Sequence, residues 1–237
     1  KLFFSHINDI HVLWGNHSLS RFLNKVNSKN YYLPKLFFLN GYSYTSNLDK
    51  LTHIKNLQNI KNNFKKNSIN KVILLLDTTI ENSNINKNKS HQTLSKEFAI
   101  KYFMFFFNLI SQNNDLGIIV KSKNNFIFDS IFKKYNLYNE LKLNKKLIII
   151  NDSKGIPSSD YSEISNIVVG INADDLPSSV MECLTNCNRA VIFDYSNLSS
   201  YERKIYEIGH NRFIFNDFEK LKKNFIEYLK NNNDHFG

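Results

Sequence analysis

The stretch Asn172-Ala173-Asp174-Asp175-Leu176-Pro177-Ser178-Ser179-Val180-Met181-Glu182 carries the densest set of groups able to do chemistry in this sequence. Proline suits the first position of a helix, and the residue before it is pushed toward extended backbone. The pattern therefore predicts a strand end, a short loop and a helix opening near Ser178. The free N–H groups of that end carry partial positive charge and suit a phosphate, with the Ser178 and Ser179 hydroxyls beside them. The same residues also make an ordinary N-cap, and the sequence leaves both readings standing. Glu182, one turn further in, can accept hydrogen bonds from the two hydroxyls of a ribose, as acidic residues do in dinucleotide folds. It fits equally as a solvated helical Glu favoured by the dipole.

A second cluster is Val120-Lys121-Ser122-Lys123, where two cations follow an apolar run. Asp77 closes another such run and opens the polar segment Thr78–Thr93, expected to be a structureless loop at a strand's C-terminal end. His91 in that segment can reach a sugar or phosphate, or stand as a solvated loop histidine. Cys183 and Cys187, four residues apart, read as two small buried side chains. The histidines show no metal-like spacing on one element, so no metal is expected. There is no G-x-S-x-G elbow, no G-x-G-x-x-G and no P-loop.

These groups need strands to hold them. Lys71–Leu76, Leu116–Val120, Leu147–Ile150, Ile167–Ile171, Ala190–Phe193 and Arg212–Phe215 are apolar runs that end in polar residues. Continuous rather than alternating runs suit strands buried on both faces of a parallel sheet. Helical spacing falls between them, over Leu94–Gln112, Phe126–Lys134, Ser159–Ser165, Ser178–Asn186, Ser199–Ile208 and Phe218–Lys230, with an exposed helix over Leu51–Lys66. Strand alternating with helix predicts an α/β, Rossmann-like doubly wound parallel sheet with its ligand crevice along the strands' C-terminal ends. Residues 1–45 read differently. Two short strands, His11–Gly15 and Leu36–Gly41, flank a helix from Ser18 to Val26, which predicts the end of a preceding α/β domain before a main domain over 46–237.

The chain has 237 residues, of which 42% are hydrophobic and 22% charged, as in packed globular proteins. No apolar run approaches the roughly 20 residues needed to span a bilayer. The net charge of +10 comes almost wholly from lysine; Arg21, Arg189, Arg203 and Arg212 are the only arginines. Sequence-specific DNA readers lean on arginine for bidentate contacts. The charge therefore reads as a solvated lysine surface, with no specific nucleic-acid partner expected. A basic nucleic-acid-binding module is the alternative of another class, and would show as steep salt dependence. The chain opens Lys1-Leu2-Phe3-Phe4, without an initiator Met or a signal-peptide pattern, and is expected to be a fragment of a longer protein.

From Ser158 to Asp194 the sequence resembles the C-terminal half of GT-B glycosyltransferases, especially those of bacterial surface-polysaccharide synthesis. The resemblance rests on Ile167–Gly170, Ser178-Ser179, Glu182-Cys183-Leu184 and Ala190-Val191-Ile192-Phe193-Asp194-Tyr195. Val120–Lys123 is similar to the family's basic strand end. Trp14-Gly15-Asn16 with Asn40-Gly41-Tyr42 is similar to the pair that closes its N-terminal domain. Asp174 and Glu182 are spaced much like the paired carboxylates of retaining members. Cys187, Arg189 and Ser122 depart from the family's usual Gly, Pro and Pro, and its Gly-rich turn near the donor is absent. The resemblance implies a nucleotide-sugar donor as substrate, no separate cofactor, and a glycan or lipid-linked acceptor. It also implies a cytoplasmic protein, peripheral at the inner face of the membrane. Lys121, Lys123, Ser178 and Ser179 would face the diphosphate, Glu182 would grip the ribose, and Asp174 would lie beside the donor. Catalytic groups would come from the preceding domain. A nucleotide-sugar epimerase or a polyol-phosphate transferase of similar fold is the nearest alternative.

Overall fold

The computed structural model describes residues 10–14, 35–39, 47–81, 93–150, 157–173, 179–180, 183, 189–195, 209 and 211–231. The chain divides into two compact units, Lys1–Thr45 and Ser46–Gly237. In the first, β1 (Ile10–Trp14) and β2 (Lys35–Leu39) pair in parallel. The helix expected between them lies outside the described residues.

The second unit holds a six-stranded, all-parallel sheet. Its strands are β3 (Lys71–Leu76), β4 (Leu116–Lys121), β5 (Leu147–Ile150), β6 (Ile167–Asn172), β7 (Ala190–Asp194) and β8 (Ile214–Phe215). Their order across the sheet is β5-β4-β3-β6-β7-β8. The chain thus winds outward from β3 to one edge, returns, and winds outward to the other. This is the doubly wound order of a Rossmann-like fold, with its switch point between β3 and β6.

Both faces of the sheet are covered, which is why its strands are apolar throughout. Ile73, Leu75, Ile118, Val120, Val169, Val191 and Phe193 face one layer, built from α2 (Lys96–Gln112), α3 (Asn125–Phe132), α4 (Asn136–Leu143) and α6 (Phe218–Asn231). That layer is dominated by aromatic rings in edge-on contact, such as Phe103 with Phe128 at 4.8 Å. Val72, Leu74, Ile119, Val168 and Ile192 face the other layer. It contains Phe64 of α1 (Asn47–Lys66), Tyr161 of α5 (Ser158–Ser162), and Val180 and Cys183. Gly117 lets α1 come close: a Cβ there would sit 2.8 Å from a methyl of Ile69 and 2.9 Å from the Phe64 ring.

Four expectations need correction. The helix expected over Phe126–Lys134 is α3, but a second helix that the pattern did not show, α4, follows it after a break at Lys133–Tyr135. The last strand shrinks to Ile214–Phe215, because Asn211 adopts a left-handed φ of 57° and Arg212 and Phe213 complete a turn instead. α1 is not merely an exposed helix, since Phe64 is buried and Leu57 and Ile60 pack on the core. The segment after Asp77 is not structureless at its ends: Ile80 and Leu94 are buried and bridge in parallel, through bonds of 2.8 and 2.9 Å. The helix expected over Ser199–Ile208 lies outside the described residues.

Candidate functional site

The register of the parallel strands brings their C-terminal ends to one rim. Leu76 of β3 lies opposite Lys121 of β4, which lies opposite Ile150 of β5. On the other side Leu76 lies opposite Gly170, and Asn172 opposite Asp194. Asp77, Lys121, Ser122, Asn172 and Asp194 are therefore carried to the crevice edge by strand length alone, with Asp77 and Asn172 flanking the switch point.

The β3–β4 half of this rim is tied by one carboxylate. Asp77 Oδ2 accepts a hydrogen bond of 2.6 Å from the Ser122 hydroxyl, and Oδ1 accepts one of 2.5 Å from the Lys123 backbone N–H. Ser122 Oγ in turn accepts from the Asn124 N–H at 3.2 Å. Asn124 caps α3, its side chain accepting from the Ile127 N–H at 3.1 Å. Asn125 Nδ2 donates to the Ile150 carbonyl at 2.7 Å. The Lys121–Asn125 turn is thereby fastened to the ends of β3 and β5 as well as to its own strand. Burial pushes the Asp77 carboxyl up to about 6, against the two hydrogen bonds and the Lys123 charge, which favour ionisation. Beneath it lies the fully buried Tyr102 hydroxyl, which has no hydrogen-bond partner. Burial first, and the Asp77 charge second, hold that phenol far above its usual range.

Lys121 is partly buried, with its ammonium 5.7 Å from the centre of the Tyr161 ring. The Lys123 side chain is exposed. The turn thus presents one cation braced against an aromatic face and one in solvent, on a backbone that cannot easily shift. Such a turn can hold an anionic group and screen its charge.

The β6–β7 half is built differently. Asn172 Nδ2 donates to Asp194 Oδ1 at 2.9 Å, and the Tyr195 N–H donates to the Asn172 carbonyl at 2.9 Å. Both side chains are buried, at 1% and 6% exposure. Ser179 is helical and half-buried, and its carbonyl accepts from the Cys183 thiol at 3.1 Å. Of the residues singled out in the sequence, the structure brings Asp77, Lys121 and Lys123 together. Asp77 comes directly after the last residue of β3, Leu76, and is bonded to the turn that follows β4. Asp174, Ser178, Glu182 and His91 lie outside the described residues.

Sequence reasoning missed Ser122 as a structural partner, although its place between two lysines marked it. It also missed the Asn172–Asp194 pair, for which a polar residue ending each of two apolar runs was the available signal. Tyr102 gave no signal within its aromatic helix. Among the described residues, no group of three His, Cys, Asp or Glu side chains can hold a metal ion, and no helix is long and apolar enough to cross a membrane.

Fold and rim define a Rossmann-like α/β protein with a basic turn one strand away from the topological switch. No protein-family model matches the chain, and no curated protein matches it in sequence.

Proposed function

We propose that this chain binds the nucleotide diphosphate of a nucleotide-sugar and serves as the donor-binding half of a GT-B-type glycosyltransferase. One observation carries this reading. The Lys121-Ser122-Lys123 turn carries two cations at the end of β4, which pairs with the switch-point strand β3, and is held there by Asp77. Ligands of doubly wound sheets lie across these strand ends. A first βα turn without a glycine fingerprint disfavours a dinucleotide held in the NAD manner, and leaves the charge of the bound phosphates to lysines.

In the reaction, an acceptor hydroxyl forms a bond to the sugar's anomeric carbon as the bond to the diphosphate oxygen breaks. The acceptor loses its proton to a general base, and the nucleoside diphosphate departs with the bonding pair. Lys121 and Lys123 stabilise the charge that grows on that leaving group. The sequence resemblance puts Ser178 and Ser179 beside the diphosphate and Glu182 on the ribose. The general base comes from a domain preceding this chain, so the chain by itself binds donor and transfers nothing.

The test is a melting-point screen against UDP, GDP, CDP, ADP and CMP. A ligand at a hundred times its Kd adds about 2.7 kcal/mol, which for a domain of this size is roughly 5–10 °C. A shift with a diphosphate that shrinks in Lys121→Ala, Lys123→Ala and Glu182→Ala supports the proposal. A chain that melts cooperatively at the same temperature with every nucleotide overturns it.

A further inference from the structure

Helix α3 carries five apolar side chains, and four of them face inward. Phe128, Ile131 and Phe132 are buried, and Ile127 packs against the same core. Phe126 does the opposite, standing 84% exposed in the helix's first turn. Leu143, at 80% exposure, closes α4 at the other end of the strands, just before β5 begins. Of the exposed large apolar side chains among the described residues, Phe126 is the one in a helix turn that directly follows a strand's C-terminal end.

Its footing is rigid. The residue before it, Asn125, is bonded to the Ile150 carbonyl. Asn124 caps the helix, and Ser122 and Lys123 are bonded to Asp77. The backbone beneath the ring is therefore held to three strands at once, so binding to the ring need not order the backbone. Two cations, Lys121 and Lys123, precede it by five and three residues on the same turn.

We propose that Phe126 is the platform on which the base of the bound nucleotide stacks, an inference that rests on the donor-site reading above. A nucleotide joins an anionic group to a flat aromatic one through a short sugar, and the turn offers cations and an aromatic face in the same order. Ligands of doubly wound sheets lie across the strands' C-terminal ends. β4, whose continuation carries Phe126, borders β3 at that rim. Stacking on a phenyl ring tolerates any base, because every base presents a π face. Phe126 therefore contributes affinity, and the choice among bases is made elsewhere.

The experiment titrates the full chain with inorganic pyrophosphate and with the nucleoside diphosphate that gives the largest melting shift. Alanine substitution of a base-stacking aromatic costs about 1–3 kcal/mol, or roughly fivefold to a hundredfold in affinity. Phe126→Ala should weaken the nucleoside diphosphate by that factor and leave pyrophosphate unchanged, while Phe126→Tyr restores the loss. Lys121→Ala and Lys123→Ala should weaken both probes. In a Trp14→Phe background, which removes the single native tryptophan, the indole of Phe126→Trp should be quenched by the nucleotide and not by pyrophosphate. If the lysine variants lose nucleotide and Phe126→Ala does not, the platform is wrong and the donor site stands. Equal loss of both probes in Phe126→Ala also overturns it, since the ring then acts on the turn and not on a base. Loss of binding to anionic lipid vesicles, with nucleotide affinity intact, assigns Phe126 to a membrane instead. If wild type binds neither probe, the donor-site reading falls and takes the platform with it.

Discussion

The two halves of the strand-end rim each spend a carboxylate on holding the backbone, and they do so in opposite ways. Asp194 is buried and receives a side-chain amide from Asn172, on the neighbouring strand and in direct register. The pair stitches β6 to β7 and presents no charge to the crevice. Asp77 is only partly buried, and receives a hydroxyl and a backbone N–H from a turn beyond the next strand. It fixes a loop rather than a ladder, and it does so beside two lysines. The first arrangement trades access for stability. The second accepts a titratable group near neutrality so that a charged turn can be both fixed and reachable.

The sharpest way to break this contrast is Asn172→Leu. It removes an amide donor from a buried carboxylate, and a hydrogen bond to a charged group is worth about 1.5–3 kcal/mol. The outcome expected in denaturant titration is a fall of about 1.5–3 kcal/mol, and a fall below ~0.5 kcal/mol would show that Asp194 does not depend on the amide. The next effect belongs to Asp77 and has a pH signature. Its carboxyl rises from 3.8 to about 6 on folding, so the folded chain holds a proton that the unfolded chain has released. Stability from this group is fully present below pH ~4 and is lost as pH rises to about 6, with a ceiling of about 3 kcal/mol. Asp77→Asn stays neutral, so its stability should be flat across that window and about 1–2 kcal/mol above wild type at pH 7. Parallel pH profiles for the two proteins would refute this.

Ser122→Ala should cost about 1 kcal/mol, by removing one hydrogen bond to a charged group. Because that bond favours the ionised form, the Asp77 titration followed by carboxyl NMR should move upward. A downward movement would contradict the assignment. Lys123→Ala should be the mildest in stability, within about 0.5 kcal/mol, because the contact to Asp77 is made by the backbone. Its effect is expected in nucleotide affinity alone.

Much of this was legible in the residues. Six apolar runs bounded by polar ends marked the strands, and β3 to β7 fall within a residue or so of those runs. The basic turn was visible because Lys121 and Lys123 follow such a run at once. Helix α4 was hidden because half of Asn136–Leu143 is polar and it buries only Tyr138 and Leu141, too little for a clear stripe. The ties at the rim were hidden for another reason. Asp77 meets Ser122 across 45 residues and Asn172 meets Asp194 across 22, and both meetings depend on strand register. A single sequence does not state which residues of separate strands stand level.

The strand order also sets a schedule for synthesis. β3 lies at the centre of the sheet, yet one of its two neighbours, β6, is made long after it. The clamp between them, in which the Val72 N–H donates to the Asn166 side chain at 2.7 Å, spans 94 residues. At about 5–20 residues per second, a ribosome needs roughly 5–20 s to supply the second half of that clamp. For that interval β3, β4 and β5 can pair, but β3 keeps one side open, with Ile73 to Leu76 awaiting partners from β6. An unpaired apolar edge is a template for pairing with other chains. Nascent chains that stall between β5 and β6 therefore carry this open edge.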